Sequence, residues 1–149
     1  MLTFRYSTVA GSHDMELSSS AARDVLEAMQ GRPAWDTVCV VPTGNERFPF
    51  MNISWHAEYG LEVQCFETPE SNSEFLVTDQ ALSSPEVYVE LGGQTQELWP
   101  RQLFVPLELA LEALRFFLET GRENQDLRWV PINGFPRRTV RPRRKELKP

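Results

Sequence analysis

The stretch FMNISWHAEYGLEVQCFE, residues 50–67, decides the fold class. Its apolar residues recur with period 2, so Met51, Ile53 and Trp55 share one face of an extended segment. After Glu58-Tyr59-Gly60 the alternation resumes, with Leu61, Val63 and Cys65 on one face and Glu62, Gln64 and Phe66 on the other. Two alternating runs joined by a short Gly-containing link predict an antiparallel β-hairpin.

Upstream, TVCVVP (37–42) is rich in β-branched residues and LTFRYST (2–8) alternates Leu2, Phe4 and Tyr6 against polar residues, so both read as strands. Downstream, PEVYVELGG (85–93) places Val87, Val89 and Leu91 inward and Glu86, Tyr88 and Glu90 outward, while FLV (75–77) reads as a short edge strand. Two helices flank this β-rich middle. In SSSAARDVLEAMQGRP, the serines at 18–20 offer N-caps, Ala22, Val25, Leu26 and Met29 recur at helical spacing, and Gly31 with Pro33 ends the run. In LELALEALRFFLETG (107–121), Leu107, Leu111, Leu114 and Leu118, with Ala110 and Phe117, form a broad apolar stripe opposite Glu108, Glu112, Arg115 and Glu119. Pro106 and Gly121 punctuate it. The run is too short to span a bilayer and reads as a core helix. The expected fold is therefore α+β: an antiparallel meander sheet of four or five strands, with main helices at about 18–30 and 106–120 packed on one face. QTQELWPRQ (94–102) reads as irregular, and Trp129 is assigned to the core.

The 149 residues suit one domain, expected over 1–136 and followed by a basic, disordered tail at 137–149. Net charge divides the same way. The first 136 residues carry a net −12 and RRTVRPRRKELKP (137–149) a net +6. A body this acidic repels nucleic acid and attracts a basic partner. The tail reads either as a solvated terminus folding back on the acidic body or as a contact for nucleic acid. The N-terminus lacks the pattern of a signal peptide, and no apolar run is long enough for a membrane span. The expectation is a soluble cytoplasmic protein, monomer or weak dimer, with no membrane association.

Catalytic constellations are sparse. Cys39 and Cys65 sit in strand-like apolar runs and read as buried thiols, and His13 and His56 form no ligand set with them. His56 is a lone histidine beside a turn. GGQTQ (92–96) lacks the lysine and helix of a phosphate loop, and Glu86 and Glu90 lack an apolar wall to raise a pKa. No enzyme, metal or cofactor is expected. What remains is a surface on which carboxylates surround amphipathic rings, a pattern suited to a basic protein. Its candidate partner-binding residues are Glu58, Tyr59, Glu62, Phe66, Glu86, Tyr88, Glu90, Glu97 and Trp99. Trp99 can serve either as an anchor or as a cap on the core.

Two segments, GNERFPFMNISWHAEYGLEVQCFE (44–67) and LFVPLELALEALRFFLETGRENQDLRWVPI (103–132), resemble the immunity proteins of bacterial polymorphic toxin systems. The helix 19–30 leading into RPAWD is similar too, and the resemblance points to the family commonly paired with nucleic-acid deaminase toxins. It implies a small cytoplasmic α+β protein, without catalysis or cofactor, that binds a cognate toxin domain with a basic surface and occludes its substrate cleft. The rival expectation is a small scaffold or a secretion-associated chaperone unrelated to toxins.

Overall fold

The computed structural model describes residues 3–11, 14–91 and 95–140. Ten strands, two α-helices and three short 3-10 turns follow one another among these residues. The strands are β1 (Phe4–Thr8), β2 (Met15–Leu17), β3 (Val38–Pro42), β4 (Phe50–His56), β5 (Gly60–Phe66), β6 (Glu74–Val77), β7 (Val87–Leu91), β8 (Thr95–Trp99), β9 (Arg128–Pro131) and β10 (Arg138–Val140). The helices are α1 (Ala22–Met29) and α2 (Leu107–Thr120).

The single sheet of four or five strands is corrected by the pairing. The main sheet has seven strands in the order β2-β1-β3-β4-β5-β6-β9, and a separate three-stranded sheet has the order β10-β8-β7. The hairpin at 50–67 forms as β4–β5, with Met51 opposite Cys65, Ile53 opposite Val63 and Trp55 opposite Leu61. These residues face α1 and α2, and with Phe4, Val40, Leu76, Leu114 and Phe117 they make the first core. The ring of Phe117 lies 4.9 Å from that of Phe4, tying α2 to the far side of the sheet. Both helices therefore pack against one face, as the apolar stripes require. Ser19–Ala21 forms a 3-10 turn leading into α1, and α2 ends on Gly121 at φ 74°, a conformation that favours glycine.

The opposite face carries the small sheet, packed at the β6–β9 end through a second core that includes Phe75, Val77, Val87, Val89, Trp99 and Val130. This layer explains β6. Phe75, Leu76 and Val77 are all buried in succession, because Leu76 faces the helices while Phe75 and Val77 face the small sheet. The segment expected as an edge strand is interior, between β5 and β9. The stretch expected as irregular contains β8, which pairs with both β7 and β10. The described chain also continues past the expected boundary at Pro136, since Arg138–Val140 pairs with β8. Residues 141–149, which hold most of the expected tail, lie outside the described residues, as do His13 and the Gly92–Gln94 portion of the loop. No described helix is long and apolar enough to cross a membrane.

Candidate functional site

The β4–β5 hairpin turns through Ala57, Glu58 and Tyr59, all exposed. Glu58 adopts φ 77°, the one positive φ at a non-glycine residue among those described. A non-glycine residue in the left-handed region carries local strain of about 1 kcal/mol or more. The turn is fixed from below. Gly60, at φ 124°, brings the chain against Val105, with which Leu61 exchanges both backbone hydrogen bonds at 2.9 and 2.8 Å. The Tyr59 ring, 36% exposed, rests 5.8 Å from that of Phe104, which in turn lies 6.4 Å from Trp99. A carboxylate and a phenol are thus presented on a supported tip.

A second acid-and-ring pair lies on β7. Val87 and Val89 point into the second core, so Glu86 and Tyr88 are exposed on the outer side of the small sheet, Tyr88 at 45%. Tyr88 sits opposite Leu98 and next but one to Glu90, whose side chain lies outside those described.

The remaining candidates are placed differently. Trp99 is buried at the centre of an aromatic group with Phe75 and Phe135, at ring distances of 5.4 and 5.5 Å. Its indole Nε1 donates to Glu97 Oε1 at 2.8 Å, which turns Glu97 inward beside it. Of the two roles open to Trp99, the structure gives it the place of a cap on the core, with Glu97 beside it: an indole N–H inside a core requires an acceptor, and Glu97 supplies it. Glu62 is also covered. Its Oε1 lies 3.2 Å from His56 Nε2, with the two side chains only 12% and 8% exposed. Phe66 is half-buried on the open end of the same face, stacked 4.2 Å from Phe50. Apart from Glu90, the candidates therefore separate into two exposed pairs and four covered or half-buried residues, Glu62, Phe66, Glu97 and Trp99.

His56 meets a carboxylate but builds no reaction centre. Its ring edge packs on Phe104 at 4.9 Å, and the nearby Ser54 hydroxyl is engaged with Thr37 at 2.8 Å. A nucleophile and its base must share a hydrogen bond, and here the hydroxyl is committed elsewhere. Among the described residues no group of three or more His, Cys, Asp or Glu is arranged to hold a metal. The cysteines lie on opposite faces of the main sheet, since Cys39 pairs with Asn52 and Cys65 with Met51, and both are free. Burial pushes both thiols up, the carboxylates Glu123, Glu67 and Glu74 adding to the effect at Cys65. Neither is poised as a thiolate.

Those three carboxylates form a cluster the sequence reading did not single out, because Glu67, Glu74 and Glu123 are far apart in the chain. Glu123 is 4% exposed, its backbone N–H donates to Glu67 Oε2 at 3.1 Å, and the Glu74 carboxyl is its other acidic neighbour. Burial first, and then the neighbouring carboxylates, push its pKa up to about 8. A folded-state pKa above the unfolded value stabilises the fold fully at low pH, and that contribution is lost as pH rises towards and through 8. Glu123→Gln replaces the carboxyl with a neutral amide that still donates and accepts hydrogen bonds. In thermal melts from pH 5 to 9, the wild-type midpoint is expected to fall by several degrees relative to the variant's, with the variant the more stable at pH 9. Parallel curves would contradict this assignment.

No curated protein and no solved structure matches the chain. The model of a protein family described as Immunity protein Imm1 matches residues 14–131, which include the whole of the β4–β5 hairpin, both helices and β9. That span takes in the two exposed acid-and-ring pairs as well as the supports beneath them. With an acidic body, exposed rings and no assembled reaction centre among the described residues, the match agrees with the geometry: the chain belongs to the Imm1 family of immunity proteins.

Proposed function

We propose that this immunity protein neutralises a cytoplasm-acting toxin that targets nucleic acid, a deaminase in the first instance, by seating acidic surface in the toxin's basic substrate cleft. Proteins of this family bind a cognate toxin. A domain that acts on nucleic acid needs positive potential where phosphate binds, and an acidic inhibitor exploits the same attraction. The observation that carries the reading is the Glu58–Tyr59 tip, where a carboxylate is kept in a left-handed conformation on an exposed turn braced by Gly60 and Phe104. Strain retained at an exposed position is a pointer to use, since glycine or asparagine there would be easier on the fold. Glu86 and Tyr88 offer a second contact of the same chemistry. The family membership favours this reading over a scaffold or secretion chaperone.

The test is co-expression with the toxin domain encoded beside this chain's gene. Growth rescue and co-purification are expected for the wild type. The double reversal Glu58→Lys/Glu86→Lys should weaken binding about tenfold or more while leaving the thermal midpoint within a few degrees, because both side chains are exposed. Base conversion in nucleic acid recovered from cells expressing the toxin alone identifies a deaminase, and strand cleavage without base conversion would overturn that part. Absence of rescue by the wild type would overturn the whole.

A further inference from the structure

On the α1 side of the main sheet, β1, β2 and β3 meet α1 around an open cavity of about 170 Å3. Its lining is mostly apolar, with Tyr6, Met15, Val25, Ala28, Met29 and Val38, and is completed by Thr8, Gly11 and Arg32. Val25, Met29 and Val38 belong to the first core and are 9%, 2% and 1% exposed, so the cavity reaches the interior rather than denting the surface. Protein interiors ordinarily close such space, and a cavity of about 150 Å3 lined by aliphatic side chains accepts a molecule the size of benzene.

The mouth is apolar too. Of the five large hydrophobic residues exposed among those described, Val9 at 64%, Met15 at 54% and Trp35 at 57% belong to the segments around it. They are held together by the backbone. Val9 N–H donates to Thr37 O at 3.3 Å, and Ala10 N–H donates to the buried Asp36 carboxylate at 2.9 Å. Arg32 donates to the same carboxylate at 2.8 Å, and the Tyr6 hydroxyl reaches Met15 Sδ at 3.7 Å. Trp35 thus stands on a pinned turn, where an exposed indole loses little freedom on binding. Isolated exposed hydrophobics need no explanation, but Met15 on the pocket lining, with Val9 and Trp35 exposed on the segments that carry Thr8, Gly11 and Arg32 of that lining, does.

Charge names the occupant. The arginines of this region are already engaged: Arg5 with Asp14, Arg23 with Glu108 and Arg32 with Asp36. Glu16, Asp24 and Glu27 are exposed on β2 and α1 and enter no ion pair among the described residues. The pocket is therefore mostly apolar, its lining cation Arg32 is paired with Asp36, and the exposed surface beside it is negative. We infer that this pocket is a second anchor for the cognate toxin, receiving one apolar side chain of leucine or phenylalanine size from a segment flanked by lysine or arginine. The inference rests on the immunity reading, but on different residues from the hairpin tip and β7. Trp35 provides the desolvated ring contact typical of an interface centre, and the carboxylates meet the flanking cations.

Methionine methyl groups make the test direct. Met15 and Met29 line the pocket, while Met51 is buried in the core and serves as an internal reference. Protein labelled with 13C at the methionine methyls is titrated with a catalytically inactivated form of the toxin domain encoded beside its gene. The Met15 and Met29 signals are expected to shift on binding and the Met51 signal to stay in place. Trp35→Ala and Ala28→Arg should each raise Kd at least tenfold without lowering the thermal midpoint by more than a few degrees, since both positions are exposed. If the wild type binds and rescues growth while Met15 and Met29 stay unmoved and both variants bind normally, the pocket assignment falls and the immunity reading stands. If the wild type neither binds nor rescues, both fall. Shifts of Met15 and Met29 on concentrating the free protein alone would assign the pocket to a second copy of the chain and overturn the proposal.

Discussion

Replacing Trp99 with alanine is expected to destabilise the protein by about 3–5 kcal/mol, the usual range for a fully buried aromatic. Three rings surround the indole, with centroids 5.4, 5.5 and 6.4 Å away on Phe75, Phe135 and Phe104. Removing it opens the second core, which packs the small sheet on the β6–β9 end of the main sheet. It also takes from the buried Glu97 carboxylate its hydrogen bond from the indole N–H at 2.8 Å, leaving it the longer contact with Arg137 at 3.9 Å. Urea unfolding followed by far-ultraviolet circular dichroism measures the loss. The informative control is Tyr88→Ala on the outer side of the same small sheet, where a 45% exposed ring should change stability by less than about 1 kcal/mol. A Trp99→Ala variant as stable as the wild type would contradict the internal placement of Trp99 and restore it as a surface anchor.

Gly60→Ala is expected to cost about 2–4 kcal/mol, combining a strained φ with a steric conflict. A Cβ at this position would lie 2.7 Å from the Val105 carbonyl oxygen, an atom of backbone that cannot swing aside. That oxygen accepts the Leu61 N–H at 2.9 Å, so moving it breaks the bridge that braces the hairpin tip. Loss of stability should be accompanied by loss of toxin binding beyond what the unfolded fraction explains, because Glu58 and Tyr59 lose their support. Gly44→Ala is the matched control: nothing lies within 4 Å of a Cβ there, and its effect should be small. Equal melting temperatures for the two variants would contradict the close approach at Gly60.

The helices and the central hairpin were legible because each buries one face only. Alternation in 50–67 and the stripe in 107–121 translate directly into which residues face the first core. The second sheet was hidden by the same logic. In β8, Glu97 and Trp99 point inward while Leu98 pairs with the exposed Tyr88, so the hydrophobic pattern is scrambled by one buried acid and one outward leucine. In β6, three consecutive buried residues leave no alternation to read, because both faces are covered. β2 and β10 have three residues each, too few for a period to emerge. The exposure of the candidate residues was legible in part for a related reason. Glu58, Tyr59, Glu86 and Tyr88 lie where turn chemistry and alternation put them, on the surface. Glu62, by contrast, was taken inward by His56, a partner that becomes visible only once β4 and β5 pair. Trp35 carried no periodic signal, and its exposure follows from the Asp36 contacts that pin its turn.

The central claim is that the acidic surface of this Imm1 protein is matched to a basic cleft on its toxin. It is tested most directly by the association rate with the inactivated toxin domain, measured by stopped flow at low and at physiological ionic strength. Electrostatic steering predicts a rate that falls steeply as salt rises, and a Glu58→Lys/Glu86→Lys variant whose rate is lower and much less salt-dependent. An association rate that is indifferent to salt, and unchanged by the double reversal, would contradict the account.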